Sequence, residues 1–243
     1  MIRRIAVTAL ALSSLAAVGC ADTPSTSQVF GASSTRVIND QLSDMAGELD
    51  PPQELSFNNH GSGSLVTQLN EGADADVLIT ADTSSMEQAV ANGTVHDPHE
   101  LATNTMVMVV PPGNPAGIHS LADLNPATNL VLCDPQVPCG KVSSQLQELN
   151  DVQLQPVSLE GAVGDVLGKV TNAEADAGWV YRSDAQAAGA DVEVVEIPHA
   201  GDVPNTLWVA AASNRPEACA LVDLILSDKM AVVLEDAGFT RAS

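Results

Sequence analysis

The chain contains few basic and few aromatic residues. Nine Lys and Arg residues stand against 31 Asp and Glu residues, which gives a formal net charge of −22. Binding to nucleic acid and adhesion to anionic lipid both depend on basic side chains that neutralise phosphate groups. The acidity therefore argues against both kinds of partner and favours solubility in a salty exterior. Aromatic residues make up only 2% of the chain, so its hydrophobic core must consist mainly of Val, Leu, Ile and Ala.

The N-terminus lacks an apolar run long enough to span a membrane. Arg3 and Arg4 precede an uncharged, apolar run over residues 5–18, whereas a membrane-spanning helix needs about 20 residues. A short apolar run behind basic residues is typical of a secretory signal peptide, which we assign to residues 1–19. Without this peptide the chain has seven basic and 31 acidic residues, a net charge of −24.

Cys20 directly follows the small residues AVG, and this stretch resembles the lipobox of bacterial lipoproteins. The resemblance implies that Cys20 becomes the lipidated first residue of the mature protein, anchored at the extracytoplasmic face of the cell membrane. Cleavage at a nearby position, which would leave Cys20 as a free cysteine, is the alternative. Residues 20–27 are polar and rich in Pro, Ser and Thr, and we expect them to form an unfolded tether.

Beyond Cys20 the chain has only three cysteines, Cys133, Cys139 and Cys219. Export favours disulfide bonds, and a bridge between Cys133 and Cys139 could staple the five residues DPQVP between them. Because three is an odd number, one thiol stays unpaired or the pairing differs. The spacing, with no second pair of cysteines and no histidine nearby, does not indicate a metal site.

Motifs for catalysis and nucleotide binding are also missing. The stretches GASST and GSGSL lack the second glycine of the G-x-S-x-G turn that holds a serine nucleophile, and His60 is too near Ser62 in the chain to aim at it usefully. The phosphate-binding loop and the dinucleotide fingerprint are absent. His96 and His99 are separated by Pro98 and have no third ligand nearby, so we interpret them as part of a polar loop. The chain is not predicted to be an enzyme.

Strand and helix patterns alternate along the chain after the tether. Strands are predicted at residues 29–30, 55–57, 77–81, 105–115, 129–134, 177–181, 192–198 and 206–213. Amphipathic helices are predicted at residues 34–49, 65–72, 83–93, 142–149, 162–173, 216–227 and 229–237. This alternation predicts an α/β fold with parallel strands. Two small lobes and one large sheet both remain open on pattern alone.

Two hydroxyl-rich stretches each follow a predicted strand and precede a predicted helix. They are FGASST at residues 30–35 and HGSGSL at residues 60–65. Helix capping is the first explanation for such serines. The first turn of a helix also exposes unpaired N–H groups at a positive dipole end, which favours a bound anion. Two such helix starts that converge would hold a small oxyanion without any basic residue.

Five stretches follow one another along the chain: VFGASST, NHGSGSLVTQLNEGADADVLITAD, LCDPQVPCGK, GWVYRSDA and DAGFT. In this order they are similar to stretches of the molybdate-binding proteins that serve ABC importers. The resemblance implies a two-lobed solute-binding fold, a Venus flytrap in which each lobe is a mixed, mostly parallel sheet flanked by helices. Lobe I would comprise residues 28–106 and 204–243, and lobe II residues 107–203.

The resemblance also implies a set of ligand-binding residues. Ser34 and Ser62 match the two serines that donate through their hydroxyl and backbone N–H groups. Cys139 and Val163 match residues that donate through the backbone N–H, and Tyr181 matches a hydroxyl donor. A disulfide between Cys133 and Cys139 would stiffen the loop that carries one of these donors.

The function implied by the resemblance is binding of molybdate, and also tungstate, for delivery to an ABC transporter permease. No cofactor, no nucleic-acid partner and a monomeric protein are expected, with the lipid anchor on Cys20 as the link to the membrane. Within the same fold, sulfate, thiosulfate or phosphate is the alternative ligand. An enzyme or a surface interaction module is the alternative of a different class.

Overall fold

Two β-sheets, each flanked by helices, form the framework of the protein in the computed structural model, which describes residues 25–242. The strands are β1 (Ser25–Ala32), β2 (Gln53–His60), β3 (Val77–Thr80), β4 (His96–Asn104), β5 (Met106–Val110), β6 (Leu130–Cys133), β7 (Ser158–Glu160), β8 (Ala177–Tyr181), β9 (Glu193–Val195), β10 (Asn205–Ala211) and β11 (Thr240–Arg241). The α-helices are α1 (Asn39–Gly47), α2 (Ser62–Asn70), α3 (Thr83–Ala91), α4 (Pro138–Leu149), α5 (Val163–Thr171), α6 (Arg182–Ala188), α7 (Pro216–Ile225) and α8 (Asp228–Asp236). A 3₁₀ helix, Ser33–Ile38, joins β1 to α1.

The strand directions show that both sheets are mixed. The first sheet has the order β11-β4-β10-β3-β1-β2, and the second has the order β7-β6-β8-β5-β9. In the first sheet β1 to β4 point one way and β10 and β11 the other, and in the second sheet only β5 is reversed. The parallel neighbours are connected through helices, as parallel strands require. The predicted α/β class is confirmed, and the open choice is resolved in favour of two sheets.

The chain passes between the two sheets at two places that lie side by side. Thr105 is the single residue between β4 and β5, and residues 196–204 lead from β9 back to β10. We call the first sheet with its helices lobe I and the second sheet with its helices lobe II. Asn104 and Asn205, the last residue before one passage and the first strand residue after the other, are directly paired in the first sheet.

Alternating strand residues of lobe I pack on opposite faces of the sheet. Val29, Val77 and Ile79 belong to one core cluster with residues of α1, α7 and α8. Phe30 and Leu78 belong to another with residues of α2 and α3. The alternation follows from the two-residue period of a strand, and each fully buried aliphatic side chain contributes about 1.5–3 kcal/mol to folding. Helices on both faces leave only the strand ends of the parallel strands free to build a site.

Some predicted elements differ from the structure. The predicted tether overlaps the start of β1, because residues 25–27 already pair with residues 53–55 of β2. The predicted polar loop around His96 and His99 is instead the first part of β4, where Asp97 has a φ of 49° and the pairing with β10 shifts register. Such a bulge accommodates Pro98 within a strand. The signal peptide, Cys20 and residues 20–24 lie outside the described residues. Within 25–242, no helix has the length and apolarity that crossing a membrane requires.

Candidate functional site

The carboxyl ends of three parallel strands of lobe I carry both predicted serines. Ala32, at the end of β1, is paired with His60, at the end of β2, and Gly31 is paired with Ile79 of β3. The chain continues from β1 into the Ser33–Ile38 helix, from β2 into α2, and from β3 into α3. The edge where parallel strands end and helices begin is the place where α/β proteins bind ligands. Ser34 and Ser62 therefore lie at this edge.

Ser34 has a buried hydroxyl group that makes no hydrogen bond within the described residues. The turn that holds it is closed by its neighbour, because Thr35 Oγ1 donates to the carbonyl oxygen of Ala32 at 2.8 Å. Gly31 allows this turn to pack closely, since a Cβ atom there would lie 2.7 Å from both Thr35 Oγ1 and Asn59 Nδ2. A buried hydroxyl without a partner costs about 1–3 kcal/mol. Its presence points to a partner supplied by a ligand.

Asn59 ties the two hydroxyl-rich stretches together. Its Nδ2 donates to the carbonyl oxygen of Gly31 at 3.3 Å, and its Oδ1 accepts from Asn39 Nδ2 at 2.7 Å. The residue therefore links the end of β2 to both the end of β1 and the start of α1. Sequence reasoning missed this role, and the asparagine in NHGSGS was the signal that could have indicated it.

Ser62 is the first residue of α2 and is buried. Its Oγ accepts a hydrogen bond from the backbone N–H of Ala81 at 3.0 Å, which fixes the position of the hydroxyl. Asp82, the N-cap of α3, lies close by. Desolvation opposes ionisation of Asp82, but hydrogen bonds from Ser84, Ser85 and, more weakly, Ser62 together hold its pKa below the ordinary value.

The corresponding edge of lobe II carries the other three predicted residues. Cys133, at the end of β6, is paired with Glu160, at the end of β7, and β8 runs parallel to β6 on its other side. Cys139 is in the first turn of α4, Val163 is the first residue of α5, and Tyr181 is the last residue of β8. Backbone N–H groups in the first turn of a helix have no acceptor within the helix. Cys139 and Val163 therefore present such groups at this edge.

The start of α4 is held firmly against the end of β6. A disulfide joins Cys133 to Cys139, while Cys219 is a free, exposed cysteine. Gly140 contributes as well, since a Cβ atom there would lie only 1.9 Å from the carbonyl oxygen of Asp134. Only glycine fits this position. The two contacts fix the direction in which the first N–H groups of α4 point.

Tyr181 has a second buried hydroxyl without a hydrogen bond of good geometry. Burial raises the pKa of this hydroxyl to about 12, a rise that the nearby side chain of Asn205 opposes and the Asp184 carboxylate reinforces. The hydroxyl is therefore a neutral donor throughout the physiological range. The indole Nε1 of Trp179, two residues earlier in β8, also lacks a partner among residues 25–242.

Contacts around α6 join lobe II to lobe I beside Tyr181. The backbone N–H of Arg182 donates to the carbonyl oxygen of Thr105 at 2.9 Å, and α6 contacts the Ser33–Ile38 helix that carries Ser34. Gly238, with a φ of 88°, lets the chain after α8 approach Arg182 so closely that a Cβ atom would lie 3.0 Å from the Arg182 carbonyl oxygen. Ser34 and Tyr181 thus lie on opposite sides of one boundary between the lobes.

Other features of the described residues do not compete with this site. A cavity of about 440 Å³ lies between α6 and the helices of lobe I, but none of the five predicted residues lines it. Residues 25–242 contain no cluster of three or more His, Cys, Asp or Glu side chains that could hold a metal cation. The arrangement offers neutral hydroxyl and N–H donors, which suit an anion.

Comparison with known proteins gives relatives that match most of the chain. The molybdate-binding protein ModA of Mycobacterium tuberculosis is 37% identical over 218 residues, which cover 88% of this chain and 84% of that protein. The putative ABC transporter substrate-binding lipoprotein YvgL of Bacillus subtilis is 30% identical over 193 residues, which cover 75% and 74%.

Solved structures share the fold at lower sequence identity. The substrate-binding domain of a putative molybdenum ABC transporter from Clostridium difficile matches with a TM-score of 0.78 and 22% identity, covering 90% of this chain and 99% of that one. The sulfate-binding protein SubI of Mycobacterium tuberculosis matches with a TM-score of 0.72 and 14% identity, covering 90% and 88%. These likenesses confirm the two-lobed architecture.

The family described as bacterial extracellular solute-binding protein matches residues 28–240, nearly the whole length of the described structure. Together with the relatives, this match confirms the prediction of a solute-binding protein rather than an enzyme. The chain belongs to the family of bacterial extracellular solute-binding proteins.

Proposed function

We propose that the protein binds molybdate between its two lobes, with tungstate as an equivalent ligand. The observation that carries the proposal is the pair of buried hydroxyls of Ser34 and Tyr181, one in each lobe, that make no hydrogen bond of good geometry. An oxyanion that accepts from both would remove two desolvation costs at once. Ser62 and the backbone N–H groups of Cys139 and Val163 would complete the set of donors.

The chemistry of this donor set suits a fully ionised tetrahedral oxyanion. Hydroxyl and N–H donors carry no charge, so they do not require a basic residue and do not depend on pH near neutrality. Helix starts add the positive end of the helix dipole. The relatives ModA and YvgL, whose names refer to molybdate and to an ABC transporter, support molybdate as the ligand and a membrane permease as its recipient.

Sulfate is the second candidate because the same neutral groups can donate hydrogen bonds to any tetrahedral dianion. Molybdate and tungstate have the same charge and nearly the same size, so these donors do not separate them. Sulfate is smaller and would fit less well in a cavity shaped for longer metal–oxygen bonds. Thiosulfate and phosphate are candidates as well, because their oxygens can accept hydrogen bonds from the same donors.

A thermal-shift panel with molybdate, tungstate, sulfate, thiosulfate and phosphate tests the proposal. A ligand that binds only the folded state at 100 times its Kd adds about 2.7 kcal/mol of stability, or about 5–10 °C for a chain of this size. We expect this shift with molybdate and tungstate. Replacing Ser34 by Ala or Tyr181 by Phe should weaken binding about 10–100-fold, since a hydrogen bond to a charged group contributes about 1.5–3 kcal/mol.

Ser33→Ala is the matched control for that panel, because Ser33 is an exposed hydroxyl in the same turn. It should leave the shift unchanged. A shift with sulfate or another oxyanion and none with molybdate would replace the ligand, and no shift with any of the five would overturn oxyanion binding altogether.

We further propose that the mature protein is a monomer anchored to the cell membrane by lipid on Cys20. The lipobox-like sequence before Cys20 and the lipoprotein relative YvgL support the anchor. The lobe ranges implied by the family resemblance, residues 28–106 and 204–243 for lobe I and 107–203 for lobe II, put the hinge at the two passages between the sheets. Their first boundary differs by one residue from the sheets, because Met106 begins β5 of lobe II. The mass of the protein extracted from membranes, compared with that of a Cys20→Ser variant, checks the anchor.

A further inference from the structure

A buried polar pair joins the two lobes beside Tyr181. Asn104, the last residue of β4 in lobe I, donates through Nδ2 to Ser183 Oγ at 2.8 Å. The backbone N–H of Ser183 donates in return to Asn104 Oδ1, at a longer 3.4 Å. Both residues are only 2% exposed. The pair therefore fixes the first turn of α6, in lobe II, against the end of a lobe I strand.

The backbone of Tyr181 is attached to that same turn. Asp184, one residue after Ser183, accepts through Oδ2 from the backbone N–H of Tyr181 at 3.1 Å. Arg182, between Tyr181 and Ser183, donates its backbone N–H to the carbonyl oxygen of Thr105. A displacement of the first turn of α6 relative to lobe I would therefore carry Tyr181 with it.

The hydroxyl end of Tyr181 also lies beside lobe I. Asn205, whose side chain is near this hydroxyl, is the partner of Asn104 in the β4–β10 pairing. Asn104 is thus the strand partner of Asn205, the residue whose side chain lies near the Tyr181 hydroxyl. Both the backbone and the side chain of Tyr181 therefore lie close to the place where the chain passes between the lobes.

We propose that Asn104 is a positioning residue for oxyanion binding, which holds α6 against lobe I so that the Tyr181 hydroxyl points at the ligand. This inference rests on the proposed function. A buried, hydrogen-bonded polar pair contributes only modestly to net stability but specifies one geometry. An apolar residue at position 104 could fill the space but could not set the direction of Ser183.

A double-mutant cycle with molybdate as the probe tests the inference. Kd is measured by titration for the unsubstituted protein, Asn104→Ala, Tyr181→Phe and the double variant. We expect Asn104→Ala and Tyr181→Phe each to raise Kd about tenfold or more. Because Asn104 acts through Tyr181, the double variant should bind no more weakly than Tyr181→Phe alone, whereas independent effects would multiply.

The matched control is Ser27→Ala. Ser27 Oγ donates to Gln53 Oε1 at 2.9 Å, and both residues are buried within lobe I at the starts of β1 and β2, the opposite strand ends from Ser34 and Ser62. Its loss should lower the unfolding temperature of the ligand-free protein as much as Asn104→Ala does, but leave Kd unchanged. A purely structural role for Asn104 would give the same unchanged Kd.

The variant Ser183→Ala keeps the test decisive if Asn104→Ala does not fold, because it removes the other partner and leaves the asparagine in place. It should raise Kd in the same way and show the same lack of additivity with Tyr181→Phe. Unchanged Kd in the folded variants, or effects that multiply in full, would overturn this inference while molybdate binding by the unsubstituted protein stands. No binding by the unsubstituted protein would overturn both.

Discussion

The functional interpretation depends on the hydroxyl groups of two residues, Ser34 and Tyr181. Each is buried and makes no hydrogen bond of good geometry within residues 25–242, at a cost of about 1–3 kcal/mol each when no ligand accepts from them. They come from different lobes. A ligand that accepts from both therefore gains affinity and favours the arrangement of the lobes in which both hydroxyls reach it.

Asp184 predicts a pH dependence of stability. Burial raises the pKa of this carboxyl to about 6, although the backbone N–H of Tyr181 lowers it in part. Between about pH 4 and 6 the folded protein holds this proton and the unfolded chain has lost it, so the free energy of unfolding falls as pH rises through that window. Above pH 6 the loss is complete and constant.

Asp184→Asn should remove this contribution, since the amide oxygen can still accept from Tyr181 and carries no charge. The variant should unfold a few degrees higher than the unsubstituted protein at pH 7–8, and the gap should close as pH falls towards 4. Thermal unfolding of both proteins across that range provides the measurement. A gap that stayed constant or widened on acidification would show that Asp184 is ionised without penalty.

At the residue scale the sequence indicated some of these groups and not others. Ser34 and Ser62 stand in hydroxyl-rich stretches between a strand and a helix, which is a local signal. Tyr181 and Val163 were predicted only through the resemblance to a family. Asn104 could not have been predicted, because a single asparagine at a strand end acquires its partner only when α6 of the other lobe is placed against it.

Among the helices of lobe II, α4 has a first turn that several contacts hold in place. Pro138 opens the helix, Gly140 fits against Asp134, and the Cys133–Cys139 disulfide closes the loop before it. These features constrain the first turn, whose N–H groups have no acceptor within the helix. A rigid first turn binds an anion with less loss of conformational entropy than a mobile one.

Replacing both Cys133 and Cys139 by Ala should therefore weaken folding and binding together. A crosslink over such a short loop contributes about 2 kcal/mol in the loop-entropy description, so the free energy of unfolding should fall by about that amount in denaturant titrations. The Kd for molybdate should rise several-fold. Cys219→Ala, which removes an exposed thiol outside the disulfide, is the control and should change neither quantity.

Elements with a clear apolar period were predicted well, and those without one were missed. The predicted strand at 77–81 is β3, fully buried, and the predicted helix at 162–173 contains α5. β4 was missed because His96, Pro98 and His99 interrupt the apolar pattern of a strand. Its pairing with β10 and β11 determines it instead. α6 was missed because its seven residues are too few to show a helical period.

The order of strands in each sheet depends on contacts between residues that are far apart in the chain, and the sequence pattern did not predict it. β10 lies between β3 and β4 in the lobe I sheet, although all the strands of lobe II separate it from β4 in the sequence. The pattern indicated alternating strands and helices but not which strands pair, and only the family resemblance implied two lobes. The net charge of the whole chain also bears on anion binding. A net charge of −22 repels a dianion, so donors at the strand and helix ends must supply the attraction.

The most direct test of the whole arrangement is a crystal structure with molybdate, measured at the molybdenum absorption edge. We expect one anomalous peak between the carboxyl ends of the two sheets, with ligand oxygens within hydrogen-bond distance of the Ser34 and Tyr181 hydroxyls. A peak bound by one lobe alone, or one located away from both hydroxyls, would contradict the claim that the two lobes hold a single oxyanion between them.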